Sequence, residues 1–232
     1  MKSALLSVAV VLGAAIPLAG RGQESAAWPA SVSGTAEVRL SEGRDRASTH
    51  LTFAAGVDPP ALRVEIVEAG QLAAVLWYDP TVIRILVPGE PNLLHEGPPT
   101  RATLSAALGL PFCPQQLLYA LRAGLAPAPD CETHGEKDVP VLRDGRLVGL
   151  RRAGASPKEP LALEFLRFMK VGERVWPRRA VLRAPDGEAS VTVLAIQDRK
   201  VSPLPPVGPA WDSAQRVEAA VIARALGLSG ED

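Results

Sequence analysis

The chain has 232 residues, and its 25 Lys+Arg are matched by 25 Asp+Glu, so its formal net charge is zero. That balance argues against a nucleic-acid binder, which carries a cationic surplus for phosphates. With 47% apolar and only 22% charged residues the chain is too apolar to remain disordered and can build a packed core.

The N-terminus reads as an export signal. Lys2 precedes an uncharged, mostly apolar run over residues 4–19, which ends in small residues before Arg21. The run is shorter than the roughly 20 residues a membrane-crossing helix needs. A signal peptide over residues 1–27 is therefore expected, an uncleaved anchor being the alternative. Ser25-Ala26-Ala27 and Leu18-Ala19-Gly20 are the candidate cleavage points. Leu18-Ala19-Gly20 also looks like the start of a bacterial lipobox, but Arg21 stands where the lipidated cysteine belongs. Without that thiol no diacylglycerol attaches there, and a soluble exported protein is the expectation.

Five β-prone runs follow, over residues 34–40, 48–55, 61–68, 72–78 and 82–87, separated by turn residues such as Ser41-Glu42-Gly43, Ala69-Gly70, Asp79-Pro80 and Pro88-Gly89. Their close spacing leaves no room for crossover helices, so an antiparallel meander is predicted. Leu62, Val64 and Ile66 alternate with Arg63 and Glu65, and Ile83, Ile85 and Val87 alternate around Arg84. One face of this sheet is apolar and needs a cover.

The next segment supplies it. Thr100 opens a helical stretch with Leu104, Ala107 and Leu108 on one face, Gly109-Leu110-Pro111 breaks it, and Pro114 sits in the first turn of a second helix carrying Leu117, Leu118 and Leu121. Cys113 and Cys131 bracket a 19-residue loop. In an oxidising compartment the pair can close as a disulfide, a link of about 3 kcal/mol for a loop of this size. Free thiols, or a metal held by Cys113, Cys131 and His134, are the other readings, the last lacking a clear fourth ligand.

Strands return over residues 139–143 and 146–152, flanking the hairpin signal Asp144-Gly145, and over 161–168, 174–183 and 189–197. Residues 201–210 form a proline-rich tether. In residues 211–232 a last helix, capped by Asp212 or Ser213, carries Val217, Val221, Ala225 and Leu226 on one face. No nucleophile elbow, phosphate loop, dinucleotide fingerprint or zinc-protease motif occurs, and three histidines give little acid–base capacity. No enzyme, no cofactor and no resident metal are expected.

The stretches Gly34-Thr35-Ala36-Glu37-Val38-Arg39-Leu40, Ala107-Leu108-Gly109-Leu110-Pro111-Phe112-Cys113-Pro114-Gln115-Gln116-Leu117-Leu118 and Arg174-Val175-Trp176-Pro177-Arg178-Arg179-Ala180-Val181-Leu182, in this order, resemble the LolA/LolB family of lipoprotein localisation factors, LolB most of all. The resemblance spans residues 31–200. It implies an α+β fold: a curled antiparallel β half-barrel of about 10–11 strands, against the ten runs above, with a short helical lid insert and, here, a C-terminal helix. It also implies a non-enzymatic periplasmic carrier whose apolar cavity holds lipoprotein acyl chains, or another envelope lipid, on the way to the outer membrane. Its partners would be that lipid and the donor and acceptor envelope proteins, with no nucleic acid and at most transient membrane contact.

Candidate cavity and lid residues are Phe53, Val64, Ile66, Leu76, Ile83, Ile85, Leu104, Leu108, Leu110, Phe112, Leu117, Leu121, Phe165 and Phe168. Two departures stand out. Arg21 removes the lipid anchor of LolB, and Ala69 stands where LolB exposes a leucine between its third and fourth strands, with Leu72 nearby. An envelope scaffold acting through its C-terminal helix is the other functional expectation.

Overall fold

The computed structural model describes residues 31–42, 45–57, 59–110, 112–122, 138–144, 146–152, 154–171, 174–184, 187–197 and 209–228. Strands β1 (Ser31–Glu42), β2 (Asp45–Val57), β3 (Pro60–Glu68), β4 (Gln71–Tyr78), β5 (Ile83–Val87) and β6 (Leu93–Gly97) come first. Helices α1 (Arg101–Leu108) and α2 (Pro114–Leu121) follow. Then come β7 (Asp138–Arg143), β8 (Arg146–Arg152), β9 (Leu163–Val171), β10 (Arg174–Ala184) and β11 (Gly187–Gln197), and finally α3 (Pro209–Asp212), β12 (Gln215–Arg216) and α4 (Ala219–Ala225).

Among the described residues, twelve strands form one sheet in the order β12-β6-β5-β4-β3-β2-β1-β11-β10-β9-β8-β7. Every pairing is antiparallel except the short parallel contact of β12 with β6. Two meanders are thus joined through β1 and β11. The sequence expectation of an antiparallel α+β fold with a helical insert holds. The strand over Leu93–Gly97 and the bridge at Gln215–Arg216 were not separately legible.

Tight turns set the hairpins. Ala69 (φ 48°) and Gly70 (φ 79°) form the two-residue β3–β4 loop, and Asp144 (φ 51°) opens the β7–β8 loop. Positive φ at the loop positions matches the right-handed twist of the flanking strands.

Register carries the amphipathic pattern across the sheet. The cross-strand row Ile196, Gly34, Phe53, Val64, Leu76, Ile85 and His95 runs through seven strands on one face. On the other face Thr52 donates to Glu65 (2.9 Å), Arg63 pairs with Glu65, and Arg84 bonds Glu96 while lying over the Trp77 ring (4.6 Å). One face is dry and the other wet, as the alternation of Arg63 and Arg84 with their apolar neighbours predicts.

The strand order dictates where the helices lie. Strand β6 is near one edge and β7 forms the other, so the chain between them must travel from edge to edge, and α1 and α2 are the described parts of that crossing. Helix α2 packs on both β3 and β9. These strands are five steps apart in the sheet order, about 24 Å on a flat sheet, whereas an eight-residue helix is only about 12 Å long. The sheet therefore curls around the helix, as an unclosed half-barrel.

Both helices are eight residues long, too short to be stable alone, and are held by their ends and buried faces. The Thr100 hydroxyl accepts from the Thr103 N–H, and Gly109 (φ 63°) closes α1 with its N–H on Ser105 O at 3.0 Å. At the start of α2, Gln116 Oε1 accepts from the Cys113 N–H (3.2 Å) while Gln116 Nε2 donates to Asp138 Oδ2 (3.0 Å), tying α2 to β7.

The tail departs from the single helix expected over residues 211–232. It wraps the β6 edge instead. Trp211 and Ala214 cover the outer-face trio Val75, Leu86 and Leu94. The N–H groups of Gln215 and Val217 then take the edge carbonyls of Asn92 (2.8 Å) and Leu94 (2.9 Å), and α4 packs on α1 with Ile222 fully buried. Unpaired acceptors on an edge strand compete with helix formation here and win over residues 215–217. The tether over residues 201–210 lies largely outside the described residues, and the export signal over 1–27 lies wholly outside them.

Candidate apolar binding face

The inner face of the curled sheet and the undersides of α1 and α2 form one continuous apolar cluster. Eleven of the candidate residues belong to its buried part: Phe53, Val64, Leu76, Ile83, Ile85, Leu104, Leu108, Phe112, Leu117, Leu121 and Phe165. Ile66 and Leu110 pack against it while partly buried.

Phe168 is placed elsewhere. It is 36% exposed, with the Arg146 guanidinium 5.1 Å over its ring. Phe165 and Phe168 are three apart on β9, and a strand shows residues of one parity to each face; Phe165 pairs with Ala180 inside, while Phe168 pairs with Pro177 on the far side. The inward partner at that level is Trp176, opposite Met169.

Sequence reasoning also left out Leu62, Tyr78, Leu118, Tyr119, Leu150 and Ile222, all in the cluster. Leu62 was signalled by its alternation with Val64 and Ile66, and Leu118 by its place on α2. Ile222 had no local signal, because its burial depends on the tail folding back onto α1.

The clustered side chains of this face are uncharged, while Arg122, at the C-terminal end of α2, is fully buried. Burial pushes the Tyr119 hydroxyl up to about 12; burial, with the negative charge of Asp79, does the same for Tyr78. His95 is buried at the end of the inner row, its Nδ1 3.0 Å from the Val217 carbonyl oxygen. Such a surface offers dispersion contact and exclusion of water. Among the described residues no three His, Cys, Asp or Glu side chains converge on a common metal position.

Cys113 is fully buried where α2 begins. Its expected partner Cys131, and His134 of the metal reading, lie outside the described residues.

The β3–β4 loop places Ala69 at an exposed tip. Leu72 beside it is 44% exposed. The register shifts between Ile66 and Val67, so Leu72 opposes the outward Val67 instead of continuing the inward series of Ala74, Leu76 and Tyr78.

No helix among the described residues is long and apolar enough to cross a membrane. No family model matches the chain, and no curated protein matches it. Among solved structures it is similar to a LolA superfamily protein from Nitrosomonas europaea, at 9% identity and a TM-score of 0.43, over 74% of this chain and 87% of that one. It is similar to a DUF1329 family protein from Desulfovibrio piger, at 11% identity and a TM-score of 0.43, over 75% and 88%. A third likeness is to an outer membrane lipoprotein-sorting protein domain from Vibrio parahaemolyticus, at 8% identity and a TM-score of 0.44, over 72% and 85%. At these identities and TM-scores the likenesses carry no argument about this chain.

Proposed function

We propose that this chain is a periplasmic carrier that takes acyl chains of lipoproteins, or of another envelope lipid, between the inner face of its curled sheet and the α1–α2 lid. The observation that carries this reading is the lid itself. A large one-sided apolar face is covered in part by two eight-residue helices on the stretch of chain that links the β6 side of the sheet to the β7 edge. Each acyl methylene buried there contributes about 0.8 kcal/mol, so chain length alone supplies affinity without a specific polar group. Lifting the lid exchanges its leucines for those methylenes, which makes capture and release nearly balanced.

Export rests on the signal pattern of residues 1–27, and solubility on Arg21 in the lipobox. In an oxidising compartment Cys113 pairs with Cys131, which pins one end of α2 and limits how far the lid opens. The exchange partners are a donor and an acceptor in the envelope, and no reaction is assigned. The alternative of a scaffold acting through its C-terminal helix is not favoured, because the apolar side of α4 is already taken up by α1.

The test is native mass spectrometry of gently extracted protein, paired with uptake of a fluorescent acylated peptide. A co-purifying lipid and saturable uptake are expected. A protein that is reproducibly empty and ignores the probe would overturn the carrier reading.

A further inference from the structure

On the wet, outer face of the sheet, at the seam between the two meanders, lies a second concavity of about 400 Å³, a volume ordinary for a small-ligand pocket. Arg39, Leu40 and Ser41 of β1, Ser48 of β2, Arg179 of β10, and Glu188 and Ser190 of β11 line it, all but Leu40 polar. The pairing explains why these polar residues meet. Arg39 stands directly between Ser48 and Ser190, and Ser41 is opposite Glu188.

The charges around it are unevenly committed. Arg39 is held by both oxygens of Glu37, at 2.9 and 3.1 Å. Glu188 accepts from Arg183 Nε at 3.1 Å. Arg179 has no described carboxylate partner; its Nε donates to Ser190 Oγ at 2.8 Å, which leaves its two terminal amino groups available. Ser190 is only 6% exposed, and its oxygen is occupied as an acceptor while its proton goes to no described acceptor. A buried hydroxyl with a proton to give, beside a guanidinium with two N–H-bearing arms to give, is a donor set lacking an anionic acceptor.

We propose that this outer-face pocket binds a phosphate group, with Arg179 and Ser190 as its principal donors, Ser41 and Ser48 as further hydroxyls, and Arg39 as a partly neutralised second cation. Glu188, also in the lining, has its charge offset by Arg183. The site is separate from the lipid face on the opposite side of the sheet, so it stands or falls independently of the carrier reading.

The full chain is titrated with inorganic phosphate by calorimetry, and floated with vesicles of phosphatidylglycerol or of phosphatidylcholine. Phosphate binding without flotation assigns a small phosphorylated ligand; flotation with phosphatidylglycerol that free phosphate competes away assigns a lipid headgroup. Either supports the site. Arg179→Gln and Ser190→Ala should each weaken binding about tenfold or more. Arg178→Gln, which removes the same charge from a neighbouring exposed residue, should leave it unchanged. Absence of both phosphate binding and flotation overturns the proposal, and so does an equal loss in Arg178→Gln, which would reduce the effect to net charge. Melting curves of the variants separate lost binding from lost fold.

Discussion

The ring of Tyr119 stacks on the ring of Phe165, with centroids 6.2 Å apart and planes inclined by 20°. Tyr119 belongs to α2 and Phe165 to β9, so this pair fastens the crossing helix to the second meander. Truncating either ring to alanine should cost about 3–5 kcal/mol, as for other buried aromatics. The pair's own coupling should be about 0.5–1.5 kcal/mol of that. Denaturant unfolding of Tyr119→Ala, Phe165→Ala and the double variant measures it, and strictly additive losses would mean that the stacking itself contributes nothing.

Tyr78 and Tyr119 also predict how stability responds to alkali. Both hydroxyls are raised from 10.0 to about 12 in the folded chain, chiefly by burial. Between these values the unfolded chain loses the protons while the folded chain keeps them, so unfolding is favoured as pH rises. The contribution of these groups is fully present below pH 10 and is lost as pH climbs toward about 12. Melting temperature measured in steps across this window should fall more steeply for the parent chain than for Tyr78→Phe or Tyr119→Phe.

Gly34 sits where the two meanders meet. A Cβ there would lie 2.2 Å from the Ala195 carbonyl oxygen and 2.9 Å from the Phe53 ring. The neighbouring register shift at Thr35 and Ala36 leaves Leu194 unpaired in β11, so backbone approach at this point is part of the seam. Gly34→Ala should destabilise by about 1–3 kcal/mol through overpacking. An unchanged unfolding midpoint in urea would contradict that close approach.

Ile222 is the side chain by which the tail reaches the lid. It is fully buried in the cluster that also holds Leu104 and Leu108. Ile222→Ala should cost about 2–5 kcal/mol if the tail unfolds only with the whole domain. Hydrogen exchange offers a sharper view: amide protection in α1 should drop in this variant, while protection in β1 and β11 changes less. Equal change in all three elements would show that the tail is not specifically a brace for α1.

Strand parity explains much of what was readable in advance. The alternation of Leu62, Val64 and Ile66 with Arg63 and Glu65 is local, and so are the turns at Ala69-Gly70 and Asp144-Gly145, the break at Gly109 and the start at Pro114. Each acts over a few residues through backbone dihedrals or side-chain direction. The same rule corrects the one candidate placed on the wrong side, since Phe165 and Phe168 differ in parity. Leu72 was ambiguous for a related reason. A register shift reverses the facing of everything beyond it, and no composition signal marks this one.

By itself, then, the order of residues determined a one-sided antiparallel sheet with an apolar helical insert, because hydrophobic period and turn chemistry are properties of neighbours along the chain. Only the tertiary structure decided that β1 joins β11, that the insert must cross from edge to edge, that Ile222 braces α1, and that Arg179 meets Ser190 in an outer pocket. Those depend on pairings between residues far apart in sequence. Their energy comes from burial and hydrogen bonds that exist only after the sheet has curled, and no local pattern encodes them.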